Sequence, residues 1–254
     1  MQTFPKHSSS LWLPYWQRKR QARVRIFCLP YAGGGASLFR DLIARAPEAL
    51  EICPIQLPGR ENRVSEAPFM HMAPLLETLK RVLQPYLDMP YAFFGHSMGA
   101  LICFELARVY EQDRQTAPLH LFVSGHAAPH LPTSRPHIRH LPEVQFLEEL
   151  RRFKGTPEEV LQHKELVQML VPLLRADFSL CETYNCQPAP PLVCPISAFS
   201  GLQDQEVPPE AITGWHTQTS GAFRARFWHG NHFFVRHEHE RLLTAFTKDL
   251  FGED

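Results

Sequence analysis

The 254-residue sequence has no long apolar run, no excess of one charge, few cysteines and few glycines. No stretch approaches the ~18 consecutive apolar residues of a membrane-crossing helix. The patch Leu11-Trp12-Leu13-Pro14-Tyr15-Trp16 is too short for a secretory signal, and its basic run, Arg18 to Arg20, lies on the wrong side. A cytoplasmic protein with no membrane partner is therefore expected. Twenty-six Lys and Arg balance 26 Asp and Glu, so no overall field attracts nucleic acid or an anionic surface, and partners must be recognised by local sites. The six cysteines (Cys28, Cys53, Cys103, Cys181, Cys186, Cys194) form no C-x-x-C pair and mostly lie in apolar runs. That pattern suits small buried hydrophobes rather than a disulfide framework. Thirteen glycines against 23 prolines, with 44% hydrophobic and 20% charged residues, argue against disorder and for many ordered turns.

Of the 14 histidines, His126, His130, His137 and His140 cluster in sequence. They lack an H-E-x-x-H or Cys/His spacing and lie among prolines rather than on one helix face, so no metal is expected.

The length suffices for one large α/β domain. Short apolar, β-rich runs at 24–29, 52–56, 91–94, 119–124, 192–199 and 222–228 alternate with helix-like stretches at 37–45, 71–87, 100–110, 208–217 and 238–250. Such alternation predicts a parallel sheet built from crossover units. Between about 125 and 191 no strand is evident and helical periodicity dominates, as in Leu166, Met169, Leu170, Leu173 and Leu174. An insertion there sits beside the strand ends that gather ligand-binding loops, and so predicts a lid. The expected organisation is a loosely held arm at 1–20, a core at 21–124 and 192–254, and a helical lid at 125–191.

The strongest local signal is Gly95-His96-Ser97-Met98-Gly99, which follows the apolar run Tyr91-Ala92-Phe93-Phe94 and precedes Ala100-Leu101-Ile102. The bare G-x-S-x-G pattern is short enough to arise by chance, or as a plain glycine turn. A strand before it and a helix after it make it a sharp turn that presents the Ser97 hydroxyl, with Gly95 and Gly99 sparing collisions. The helix start adds unpaired amides, and the Met98 N–H is placed to meet a developing oxyanion. A second donor is expected from Pro30-Tyr31-Ala32-Gly33-Gly34-Gly35, after the first strand. Ala32 is the choice there, with Tyr31 and Gly33 as open alternatives. A phosphate cradle is excluded, because no Lys-Ser/Thr follows the glycines and there is no G-x-G-x-x-G spacing.

The acid and base of such a site follow the serine in the order Asp/Glu, then His, on loops leaving late strands. The 192–199 run ends in Ser200-Gly201-Leu202-Gln203-Asp204-Gln205-Glu206, and the 222–228 run in His229-Gly230-Asn231-His232. Asp204 is preferred over Glu206 because it sits at the tip of the Gly-led turn, with Glu206 expected to be solvated or near the next helix start. His232 is preferred over His229 because it lies in the loop rather than at the strand end. Ser97, Asp204 and His232 thus form the expected triad for acyl transfer to water.

The segments Phe27-Cys28-Leu29-Pro30-Tyr31-Ala32-Gly33-Gly34, Leu57-Pro58-Gly59-Arg60-Glu61-Asn62-Arg63, Phe94-Gly95-His96-Ser97-Met98-Gly99-Ala100 and Gly230-Asn231-His232-Phe233 resemble the stand-alone type II thioesterases of non-ribosomal peptide and polyketide synthases. Leu173-Leu174-Arg175-Ala176-Asp177 and Glu182-Thr183-Tyr184 look like that family's lid helices. The resemblance implies an α/β-hydrolase fold and hydrolysis of stalled or incorrect acyl groups from the phosphopantetheine arm of carrier proteins. It implies no cofactor of the enzyme's own, and its nucleophile, acid and base fall on Ser97, Asp204 and His232. Gly35, where many relatives carry serine, is a departure. Asp177-Phe178-Ser179-Leu180 is similar to a carrier attachment site but has an extra residue between Asp and Ser, so it reads as lid. A monomer acting in trans on acyl- or peptidyl-carrier domains is expected. The alternatives are a small-molecule carboxylesterase or lipase, which typically carries an H-G-G-G loop, and a non-catalytic subunit that docks on a synthase.

Overall fold

In a computed structural model of the chain, which describes residues 11–112, 117–132 and 136–252, six strands form one sheet in which every pairing is parallel. They are β1 (Val24–Leu29), β2 (Leu50–Pro54), β3 (Tyr91–His96), β4 (Leu121–Ser124), β5 (Ile196–Gly201) and β6 (Phe223–Trp228). The first five are buried along their whole length, as strands covered by helices on both faces must be, and only the edge strand β6 is half-buried. Side-chain alternation divides the interior. Phe27, Leu29, Tyr91, Phe93, Leu121 and Val123 face one side, whereas Ile26, Cys28, Ala92, Phe94 and Phe122 face the other.

The first side is covered by α2 (Met72–Leu83), through Leu75, Leu79 and Leu83, and by α3 (Met98–Gln112). The second is covered by α1 (Arg40–Arg45) and α8 (His239–Phe251), whose Leu42, Leu242 and Phe246 pack on the sheet. Each such fully buried side chain stabilises the fold by roughly 1.5–3 kcal/mol. Among the described residues no helix is long and apolar enough to cross a membrane.

The strand order β2-β1-β3-β4-β5-β6 reverses direction between β1 and β3. In an open parallel sheet this reversal leaves a crevice at the carboxyl ends of the two strands, because their crossovers depart to opposite faces. The loop after β1 and the turn after β3 border that crevice. Between β4 and β5 the chain forms α4 (Glu143–Phe153), α5 (Glu158–Gln162) and α6 (Lys164–Glu182). These helices have a core of their own, built on Ile138, Phe146, Leu150, Leu161, Val167, Val171 and Leu174. A short helix α7 (Pro209–Thr213) links β5 to β6.

Three expectations need correction. Residues 11–16 are not loosely held: Trp12 and Leu13 are buried, and the Gln56 N–H donates to the Trp12 carbonyl at 2.8 Å. Trp16 donates to the Glu51 carboxylate at 2.8 Å, and the Arg63 guanidinium lies 4.0 Å from the Trp12 ring centre. The strand expected at 192–199 begins only at Ile196, directly after Pro195, which cannot donate to a ladder. Leu192 makes only an isolated bridge to Thr219. The second strand lies two residues earlier than expected and ends at Pro54.

Candidate active site

Ser97 stands between β3 and α3 with φ of 53°. For a residue with a side chain this left-handed conformation costs roughly 1–2 kcal/mol. The strain persists because the surroundings leave no alternative. A Cβ on Gly95 would lie 2.1 Å from the Gly99 carbonyl oxygen, and one on Gly99 would lie 2.1 Å from that of Leu29. The turn is thus closed tightly on itself at Gly95 and pressed against the end of β1 at Gly99, and only glycine permits either approach. The Ser97 N–H is held by the Ser124 carbonyl of β4 at 2.7 Å, while the Ser97 carbonyl accepts from Ala100 at 2.9 Å and so starts α3. Met98 is the first residue of that helix, where backbone N–H groups have no partner within the helix and carry its positive end.

The loop after β1 closes as a type II turn. Gly34 donates to the Tyr31 carbonyl at 2.9 Å and Gly33 has φ of 77°, the position of such a turn that demands glycine. Of the amides left open by the sequence, that of Gly33 is committed: it donates to Asp177 of α6 at 2.7 Å. Ala32 lines the same cavity as Ser97.

Asp204 and His232 come together because the loops after β5 and β6 are laced to one another. Gln203 donates to the Gly230 carbonyl at 2.9 Å, and a Cβ on Gly201 would meet that oxygen at 2.3 Å. Across this contact His232 Nδ1 and Asp204 Oδ2 are 2.8 Å apart. The other oxygen of Asp204 accepts the N–H groups of Glu206 at 2.8 Å and Val207 at 3.2 Å. The carboxylate is wholly buried, and the imidazole is nearly so. Of the rivals, His229 is exposed and outside the cavity. Glu206 lies just before the start of α7, as one of the two expected placements had it; it is half-buried and lines the cavity, and its backbone N–H holds Asp204.

Ser97 and His232 share a cavity of about 320 Å³, within the range of small-molecule sites. One wall is Tyr31 to Gly34, Phe233 and Arg236; the other comes from the insertion, with Leu150, Phe153, Val160, Leu170, Leu174 and Phe178. This apolar wall can receive a hydrocarbon group. Arg236 joins the two walls, donating to the Tyr31 hydroxyl and to the Gly155 carbonyl, each at 2.9 Å.

Behind Ser97, His96 is fully buried, with Nδ1 2.9 Å from the Ser124 hydroxyl and its ring centre 5.1 Å from that of His232. Burial, and then the charge His232 would carry, push His96 well below the usual histidine pKa, so it stays neutral beside its neighbour. The sequence reading did not single out His96, Arg236 or the role of Asp177. For Asp177 a signal existed, since a carboxylate amid Leu173, Leu174, Ala176 and Leu180 must find a partner. Among the described residues no group of three His, Cys, Asp or Glu side chains is arranged to hold a metal ion.

Comparison with known proteins places this geometry in context. The family model described as "Thioesterase domain" matches residues 24–250. The chain is 44% identical over 229 residues to the gramicidin S biosynthesis protein GrsT of Aneurinibacillus migulanus, covering 90% of each chain. It is 37% identical to thioesterase PikA5 of Streptomyces venezuelae, covering 95% of this chain and 86% of that one. The solved structure of RedJ, a thioesterase from the prodiginine biosynthetic pathway of Streptomyces coelicolor, superposes with a TM-score of 0.84 at 38% identity. That match covers 92% of this chain and 88% of RedJ.

Proposed function

The chain belongs to the thioesterase family, and from that premise we propose that it hydrolyses acyl thioesters on the phosphopantetheine arm of carrier proteins through Ser97, His232 and Asp204. The observation that carries this reading is the 2.8 Å contact between His232 and Asp204 on the wall of the cavity that Ser97 lines in a strained turn.

In the proposed reaction the Ser97 hydroxyl attacks the thioester carbon while His232 takes its proton, and Asp204 fixes the imidazole tautomer and steadies the cation. The oxyanion is met by the N–H groups of Met98 and Ala32; the commitment of Gly33 to Asp177 supports Ala32 over Gly33. Collapse expels the pantetheine thiol, which receives the proton from His232. With a thiol pKa of ~8.5 this leaving group needs little acid assistance. Water then attacks the acyl enzyme, giving up its proton to His232, and the free acid and Ser97 are released.

The carrier-bound substrate and the editing role rest on what the relatives are: GrsT is named for gramicidin S biosynthesis and RedJ for a prodiginine pathway. The test is incubation with acetyl-loaded carrier protein, followed by intact mass. Wild type is expected to regenerate the free thiol and Ser97→Ala to leave the acyl group in place. Equal release by the two proteins overturns the mechanism. A fluorophosphonate that leaves Ser97 unmodified in the folded protein supports the docking alternative, and preference for nitrophenyl esters over acyl-pantetheine thioesters supports a carboxylesterase.

A further inference from the structure

Two sequence segments take no part in the reaction above, Leu57-Pro58-Gly59-Arg60 and Leu173-Leu174-Arg175-Ala176-Asp177. They meet in the structure. Arg60 and Asp177 are almost wholly buried and form a two-pronged ion pair, Nη1 to Oδ2 and Nη2 to Oδ1, both at 2.8 Å. Arg60 Nη1 also donates to the Gly34 carbonyl at 3.2 Å. The Asp177 oxygen that receives Nη1 accepts the Gly33 N–H at 2.7 Å as well. Gln56, buried beside them, donates to the Arg60 carbonyl at 2.9 Å and accepts from Ala36 at 2.6 Å.

We infer that Arg60 and Asp177 are positioning residues, which aim the Ala32 N–H at the oxyanion and tie that aim to the helix that shapes the acyl cavity. A peptide unit is planar, so the Ala32 N–H points opposite to the Tyr31 carbonyl. That carbonyl is held by Gly34, whose own carbonyl is held by Arg60; the next peptide unit is held by Asp177 through the Gly33 N–H. The turn is therefore gripped on both sides of the donor by one ion pair. Its acidic member lies on α6, whose Leu170, Leu174 and Phe178 line the cavity. Displacement of α6 moves the wall and the oxyanion donor together. A hydrogen bond aimed before the reaction needs no reorganisation as charge develops.

This inference rests on the function proposed above, and its test separates the two. Asp177→Asn leaves one acceptor oxygen for Arg60 and Gly33 to share. Arg60→Lys keeps the charge but loses the two-pronged geometry and the reach to Gly34. Both are assayed on butyryl-N-acetylcysteamine, a thioester with no carrier to dock, and with a butyl trifluoromethyl ketone as probe. Ser97 adds to the ketone carbon, its proton passes to His232 and the carbonyl pair becomes the oxyanion. With active sites counted by fluorophosphonate, kcat is expected to fall tenfold or more in Asp177→Asn and several-fold in Arg60→Lys. KM stays within about twofold and the ketone Ki rises by the same factor as kcat falls, the signature of an interaction made in the transition state. Unchanged kcat and Ki, or an effect confined to KM, overturns the inference. If Asp177→Asn does not fold, because it leaves Arg60 buried without its full partner, Arg60→Lys decides by the same criteria. If Ser97→Ala is itself active, the proposed mechanism fails first. If Ser97→Ala is dead and both pair variants are unimpaired, only the positioning role falls.

Discussion

Acid is expected to destabilise this protein through a histidine that takes no part in the proposed triad. His120 is 2% exposed, stacks on Phe122 with ring centres 4.2 Å apart, and has Nε2 3.0 Å from the Ser197 hydroxyl. Ser197 gives its own proton to Asp249 at 2.6 Å, so its oxygen accepts from His120 and the imidazole proton resides on Nε2. A second proton would have to enter at Nδ1 within the core, and burial lowers the pKa from its usual 6.5 to about 4. The unfolded chain takes up that proton near pH 6.5 while the folded chain refuses it until about pH 4. Stability is therefore intact above pH 6.5 and is lost as pH falls through this window. At 1.36 kcal/mol for each unit, the deficit reaches ~2 kcal/mol at about pH 5 and levels off near ~3 kcal/mol below the folded pKa. The measurement is urea unfolding at about pH 7.5 and pH 5 for wild type and His120→Gln, whose amide can still donate to Ser197. Wild type should lose ~2 kcal/mol more than the variant between the two pH values. His96, also lowered by burial, titrates alike in both proteins and cancels. Asp249, held below its usual range because Arg226 and Ser197 outweigh burial, loses its contribution only in more acidic solution. If the two proteins lose stability in parallel, the assignment of acid sensitivity to His120 is wrong.

Two further outcomes bear on the site. Asp204→Asn, which keeps the shape of the side chain but can present an N–H to His232 Nδ1, is expected to lower kcat by a factor on the order of 10³–10⁴ with KM little changed; steady-state kinetics on the same small thioester would show this, and retention of more than a tenth of the activity would argue against its role. Gly99→Ala places a methyl 2.1 Å from the Leu29 carbonyl oxygen. It is expected to destabilise the fold by roughly 1–3 kcal/mol and to lower Tm by about 2–4 °C per kcal/mol. An unshifted melting curve would mean the turn is looser than its geometry indicates.

The residues of the proposed triad divide by how their information is carried. Ser97 is legible from its neighbours in sequence, because an apolar run, two glycines and a helical run are the physical requirements of the turn it occupies. Asp204 and His232 are legible through order along the chain, because each follows an apolar run whose end must lie on the same edge of a parallel sheet. The part Glu206 plays was not legible in the sequence. Its contribution is a backbone N–H to Asp204, and no side-chain property announces that.

What the sequence alone determined is therefore what short-range periodicity and chain order control: the six strands, the helical insertion after the fourth, and the turn that presents Ser97. Tertiary structure decided the rest. It closed the 2.8 Å contact between Asp204 and His232, buried Trp12 and Leu13 where a free arm was expected, and paired Arg60 with Asp177 across 117 residues. The physical reason is the same in each case. Such contacts depend on which groups are excluded from water together, and that is settled only when the sheet, its loops and the inserted helices close on one another.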